Sequence, residues 1–147
     1  MANKTSPNRR IHSAEYGNAY KNNDRLTVAV TNLLVADILK LCFVPGGTFV
    51  DRVVVKNTDM DTGATPLSTA KIGFAPVDGT AAAAGSDVIV SATAAFGQAA
   101  ATTTYEIFPP FRVELDSWLT IVIGAAPATA AAGTIEAKVE GECIGVR

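Results

Sequence analysis

The sequence is poor in the residues on which catalysis most often depends. Its 147 residues include one histidine, His12, and two cysteines. A single histidine excludes zinc sites of the HExxH type, and a Ser–His–Asp triad would have to use a residue of the polar N-terminal segment. The sequence also lacks the Gly-rich loop that binds phosphates and the fingerprint that binds dinucleotides. We therefore expect no catalytic residues, no cofactor and no enzymatic activity.

The two cysteines, Cys42 and Cys143, lie far apart in the chain. Two cysteines at this spacing form neither a zinc-binding pattern nor a disulfide framework. Both fall in apolar, strand-like runs, where a free cysteine behaves as a small buried hydrophobic residue. We expect two buried thiols; a disulfide between them is the alternative.

Two pairs of carboxylates are candidates for other chemistry. Asp59 and Asp61 flank Met60 in a polar loop, where their oxygens could bind a hard cation such as Ca²⁺. The interpretation we favour is that these side chains accept hydrogen bonds from their own turn. Glu114 and Asp116 are two residues apart, but nothing in the sequence indicates a sugar-binding cleft around them. We expect no metal site and no glycosidase site.

Charge and long apolar runs are also scarce. Charged residues make up 18% of the chain and the net charge is −2, which argues against nucleic acid as a partner. No apolar run approaches the roughly 20 residues of a membrane span, so we expect no membrane partner. The polar, basic start of the chain does not have the form of a secretion signal, and we expect synthesis inside the cell.

The charge is divided unevenly along the chain. Residues 1–25 are rich in Asn, Ser, Arg and Lys and carry a net charge of +3, which leaves −5 on the remaining residues. This division predicts an extended basic N-terminal arm, residues 1–25, and a globular domain, residues 26–147.

The arm has few residues that could form a core, so contacts elsewhere must offset the entropy of ordering it. We expect Arg9 and Arg10 to pair with carboxylates of a neighbouring subunit, since Arg binds carboxylates bidentately. Tyr16 and Tyr20 would supply apolar contact area with a polar tip.

Beyond the arm the sequence has the period of two that is typical of β-strands. The clearest strand is residues 134–143, where Glu and Lys alternate with Ile135, Ala137, Val139 and Cys143. Residues 33–44 and 48–56 flank a Pro-Gly-Gly turn and predict a hairpin. Pro109-Pro110 interrupts residues 105–114, so this run bends or lies at a sheet edge.

Seven or eight such strands, without a long helical repeat, predict an all-β fold. The expected architecture is an antiparallel two-sheet sandwich that is jelly-roll-like, with the N-terminal arm extending from it.

Two of the predicted strands are apolar on both sides, residues 49–55 and 118–123. In a sandwich one face of each strand normally meets water, so these strands suggest an outer face covered by the chain's own loops or by a partner. Candidate contact residues are Phe49, Val54, Trp118 and Ile121. We expect self-association through these strands, with a homodimer favoured over a trimer.

Several motifs together resemble a known family. They are the basic arm, the run Phe-Val-Pro-Gly-Gly-Thr-Phe at residues 43–49, the run Val-Val-Val-Lys-Asn-Thr-Asp-Met-Asp at 53–61, Lys-Ile-Gly-Phe at 71–74 and the closing strand from residue 133. Over residues 26–146 their order resembles the small head decoration, or cement, proteins of tailed bacteriophages.

The resemblance implies a jelly-roll-like sandwich on the outside of a capsid, made in the host cytoplasm and bound to the major capsid protein. It implies a stabilising, structural role and carries over no catalytic residues. Two alternatives remain open. Another virion component, such as a head fibre or tail-associated sandwich, would be favoured by heptads, which are absent. A carbohydrate-binding module would need exposed aromatic residues, and aromatic residues are only 7% of the chain.

Overall fold

The computed structural model describes residues 3–5, 10–13, 19–78, 88–91 and 94–143, with only the backbone described for the first two segments. In these residues the chain forms one 3-10 helix, Val30–Asn32, and nine strands. The strands are β1 (Asn3–Thr5), β2 (Arg10–Ser13), β3 (Ala19–Val28), β4 (Ile38–Val44), β5 (Thr48–Asn57), β6 (Thr69–Pro76), β7 (Ala101–Val113), β8 (Ser117–Ala125) and β9 (Gly133–Cys143).

The strands form two sheets that pack face to face, which confirms the predicted β-sandwich. One sheet has the order β1-β4-β8-β6 and the other β2-β3-β9-β5-β7. All pairings are antiparallel except that of β1 with β4. From β3 onward, successive strands alternate between the two sheets, as in a jelly roll.

The alternating sequence of β3 and β9 determines how these two strands face the core. They pair along their whole length, from Ala19 opposite Glu142 to Val28 opposite Gly133. Every second residue of β3 is buried, and so are Ile135, Ala137 and Val139 of β9. Three of the four apolar residues predicted to share a side of the last strand are therefore buried, and the fourth, Cys143, is half-buried.

The predicted hairpin across residues 45–47 is wrong. β4 pairs with β8 in the four-stranded sheet, whereas β5 pairs with β7 and β9 in the five-stranded sheet. The Pro-Gly-Gly turn thus carries the chain from one sheet to the other. The Asp116 carboxylate accepts a hydrogen bond from the Gly46 N–H at 2.8 Å, which stabilises this connection between the two sheets.

The boundary placed at residue 25 falls inside β3, because residues 19–25 are part of the five-stranded sheet. Tyr20, assigned to the arm, is 3% exposed. Its hydroxyl donates a hydrogen bond to the Phe43 carbonyl of the other sheet. Residues 19–25 therefore belong to the sandwich rather than to an arm. Residues 3–5 and 10–13 also pair with its two sheets, as β1 and β2, and contact of this segment's side chains with a neighbouring subunit remains a prediction.

β8 lies between β4 and β6 in its sheet, and most of the residues on both of its faces are buried. Leu119, Ile121 and Ile123 face the other sheet and belong to the hydrophobic core. On the opposite face Trp118 is 6% exposed and packs edge-to-face on Phe43, with ring centroids 5.6 Å apart. The outer face of β8 around Trp118 is therefore covered by the chain itself.

Both cysteines are free thiols, as expected, but only Cys42 is buried and Cys143 is half-buried. Burial raises the pKa of the Cys42 thiol to about 12. In the part of the chain that the structure describes, no helix is long and apolar enough to cross a membrane.

Candidate interaction surfaces

The outer face of the five-stranded sheet carries rows of opposite charge. The strand register places Glu136 of β9 between Arg25 of β3 and Lys56 of β5, with N···O distances of 3.5 and 3.7 Å. Glu140 lies in the same way between Lys21 and Arg52, at 3.7 and 3.4 Å. Exposed pairs of this kind contribute about 0–1 kcal/mol each, so they indicate a hydrated face more than a source of stability.

This face surrounds two of the predicted contact residues. Val54 is half-buried among the charged side chains of β5 and β9. Phe49 is also half-buried, and the Arg112 guanidinium lies over its ring, 5.9 Å from the centroid. The outer side of β5 is thus a mixed polar surface with two partly covered apolar groups.

A different part of the molecule exposes large apolar side chains. Leu34, Val35, Leu67 and Val30 are 62%, 60%, 58% and 46% exposed. All four lie in the loops at the end of the sandwich where β3, β5 and β8 finish and β4, β6, β7 and β9 begin. We call these four residues the apolar end.

Leu34 and Val35 are displayed by a tight turn before β4. The turn requires a left-handed backbone at Ala36, whose φ is +70°, a conformation that costs a residue with a Cβ of the order of 1 kcal/mol. The buried Asp37 carboxylate accepts a hydrogen bond from the Leu34 N–H at 3.0 Å, and the main chain of Asp37 bonds to Ile123 of β8. The strained turn is therefore held in one shape.

Leu67 is displayed by a second fixed loop, which is organised by Asp61. The Asp61 carboxylate is 1% exposed and accepts hydrogen bonds from the N–H groups of Leu67, Ser68 and Thr129 at 2.7, 3.0 and 3.1 Å. Burial opposes ionisation of this group, but the backbone donors together hold its pKa well below the usual range. Asp61 thereby joins the β5–β6 loop to the β8–β9 loop.

The same geometry decides between the two interpretations of the Asp59 and Asp61 pair. Asp59 accepts a hydrogen bond from the Asp61 N–H at 3.2 Å, and N–H groups occupy both oxygens of Asp61. Oxygens that face N–H donors are not directed at a cation, so the turn interpretation is supported. Among the described residues no group of three or more His, Cys, Asp or Glu side chains could hold a metal ion.

The structure separates the eight predicted contact residues. Arg9 and Tyr16 lie outside the described residues, and Arg10 is described only as backbone, paired with Asn23. The assignment of Tyr20, Trp118 and Ile121 as contact residues is corrected, because all three are buried within the chain itself.

The exposed positions that the sequence analysis missed are Leu34, Val35, Leu67 and Phe108. Their exposure could have been predicted from their positions in the sequence, because the first three lie next to turns and Phe108 precedes the Pro-Pro pair. Leu34 and Val35 fall in the predicted strand 33–44 and Phe108 in the interrupted run 105–114, whereas Leu67 belongs to no predicted element.

Comparison with known proteins relates this fold to phage capsids. No protein-family model matches the sequence, and no curated protein matches it. A chain in the capsid of Ralstonia phage GP4 is similar with a TM-score of 0.79 and 22% identity, over 99% of this chain and 100% of that chain. A chain of the cyanophage Pam1 capsid asymmetric unit is similar with a TM-score of 0.71 and 22% identity, over 90% of this chain and 89% of that chain. This jelly-roll sandwich therefore shares its fold, over nearly its whole length, with chains found in two phage capsids.

Proposed function

We propose that this protein is a structural virion component that binds the outside of a phage capsid shell and links major capsid subunits without catalysing a reaction. The observation that carries this proposal is the likeness to the GP4 capsid chain, which spans both chains almost completely. The likeness thus concerns a small chain of nearly this length, as a cement protein would be, and the residue motifs of the sequence point to the same class.

The apolar end is the surface we assign to the shell. Leu34, Val35 and Leu67 expose more than half of their area, and burying the exposed part of one such side chain contributes about 1–2 kcal/mol. Both loops that display them are fixed by buried carboxylates, Asp37 and Asp61. A preformed apolar surface loses little conformational entropy when it binds, which favours docking on a protein.

The basic segment before β3 would add a second contact. Arg9, Arg10 and Tyr16 are well suited to an acidic, partly apolar groove on a capsid subunit. Tyr20 takes no part in this contact, because it is a core residue. Because β1 and β2 pair with the sheets, the substitution Arg9→Ala with Arg10→Ala tests this contact without removing a strand, and we expect it to weaken particle binding.

The proposal predicts that particles carrying this protein withstand heat and osmotic shock better than particles stripped of it. A ligand that binds only the intact shell stabilises that shell by mass action. Rupture can be followed by the temperature at which a DNA-binding dye gains access to the genome. Adding back the purified protein should restore the higher rupture temperature, whereas an unrelated protein at the same concentration should not. Equal rupture thresholds for stripped and decorated particles would contradict a cementing role.

A further inference from the structure

Phe108 is 96% exposed, far more than any other large apolar side chain among the described residues. It belongs to a bulge in β7, residues 107–110, in which four residues lie opposite the single residue Asp51 of β5. β7 is the outermost strand of its sheet, so the bulge projects from an edge of the sandwich.

The bulge is anchored at both ends. Ile107 and Phe111 pack against the hydrophobic core, and the Phe111 ring stacks on Phe74 with centroids 5.6 Å apart. Between these anchors, Pro109 and Pro110 restrict the backbone. Phe108 is therefore an aromatic side chain held outside the fold by a stiff segment, as is typical of residues that dominate the energy of a protein interface.

A groove of about 770 Å³ lies directly beside the bulge, on the outer face of the five-stranded sheet. Phe108 and Pro110 form one wall, the start of β3 forms another, and Gly141 of β9 lies at the floor. A Cβ at position 141 would collide with the Phe49 carbonyl oxygen of β5, so the close approach of these two strands requires glycine.

We infer that the protein self-associates about a two-fold axis, with Phe108 of each copy inserted into the groove of the other. A projecting aromatic residue and an open groove that are adjacent on one surface are self-complementary, which is what a two-fold interface requires. The occupant of the groove is thus a second copy of this chain.

The charges around the groove agree with this occupant. Its lining mixes Lys21 and Arg52 with Asp51, Glu106 and Glu140. Arg52 pairs with Glu106 at 3.2 Å and with Glu140 at 3.4 Å. A lining with charges of both signs repels a second copy of this chain much less than a lining of one sign would. It also offers no particular attraction to a strongly basic or strongly acidic partner.

The inference concerns the free protein, so sedimentation equilibrium on the purified full chain tests it without a capsid. Over a range of protein concentrations that extends to about 100 µM, we expect the wild-type protein to form a dimer. Phe108→Ser should raise the dissociation constant of the dimer by about 100-fold, because each dimer loses two aromatic anchors. Ala19→Trp, which fills the groove from its rim, should have a comparable effect. Leu115→Ser is the matched control, since Leu115 is 50% exposed but lies in the β7–β8 turn.

A wild-type protein that remains monomeric over this range overturns the inference, and so does a dimer that persists in Phe108→Ser. A dimer that is lost in Phe108→Ser but unchanged in Ala19→Trp overturns the assignment of the groove. Reduced particle binding by Phe108→Ser, with a monomeric wild type, would show that the bulge contacts the shell rather than a second copy. None of these outcomes bears on the rupture experiment, so the proposed function stands or fails separately.

Discussion

Replacing Asp61 by alanine is expected to lower the melting temperature by roughly 5–10 °C, because three backbone N–H groups lose their buried acceptor at once. The affected donors, Leu67, Ser68 and Thr129, belong to two loops of the apolar end. Binding to particles should weaken as well, since Leu67 would no longer be held in a fixed position. Thermal unfolding followed by circular dichroism, together with a particle co-sedimentation assay, measures both effects.

Asp59→Ala is the matched control. Asp59 lies two residues away, is exposed and accepts one N–H, from Asp61. It should change the melting temperature by no more than about 2 °C, as surface substitutions usually do. Similar losses in the two variants would contradict the role assigned to Asp61.

The pH dependence provides an independent check on Asp61. Because the folded state holds the pKa of this carboxyl below its ordinary value, the stability it contributes is fully present above the unfolded-state pKa of about 3.9. That contribution is lost as the pH falls through the lower, folded-state pKa. The gap in melting temperature between the wild type and Asp61→Ala should therefore narrow in strong acid. A gap that does not change with pH would show that the carboxylate charge is not what stabilises these loops.

The double variant Leu34→Glu with Val35→Glu is expected to bind particles about 100-fold more weakly than the wild type. Both side chains are about 60% exposed, so the substitution removes apolar contact area from the surface assigned to the shell and adds two charges. Neither side chain contributes to the core, and the melting temperature should stay within about 3 °C of the wild type. Quantitative co-sedimentation with stripped particles gives the affinity.

Val77→Glu is the control for this variant. Val77 is 48% exposed, but it follows β6 at the opposite end of the sandwich, where its N–H bonds to the Asp116 carbonyl. It should bind particles as the wild type does. If Val77→Glu weakened binding and the apolar-end variant did not, the orientation of the protein on the shell would be the reverse of the one proposed.

The strand content and the sandwich could be predicted because the relevant signals are local. In β9 the alternation of Glu and Lys with Ile135, Ala137 and Val139 determines which side faces the core. The pairing of strands could not be predicted in the same way. The Pro-Gly-Gly turn at residues 45–47 indicates that the chain reverses direction, but it does not show whether the next strand joins the same sheet or the opposite one.

The apolar end illustrates a second limit. The run Leu33-Leu34-Val35 is uniformly apolar, yet Leu33 is 2% exposed and its two neighbours are about 60% exposed. The difference arises from the left-handed turn at Ala36 and from the bond between Asp37 and Leu34, both of which depend on the position of β8. Conversely, Tyr20 lies in a polar, basic segment and is buried because it takes a core-facing position of β3. Exposure at these positions is a property of the assembled sheets.

The central claim is that this sandwich is bound to the outer surface of a capsid shell through its apolar end. A cryo-EM map of the native particle, at a resolution that shows side chains, tests it directly. We expect one jelly-roll density for each copy outside the shell, with the loops of Leu34, Val35 and Leu67 against capsid subunits. Density for the sandwich only inside the shell, on the tail or on a fibre, or with the apolar end facing solvent, would contradict the account.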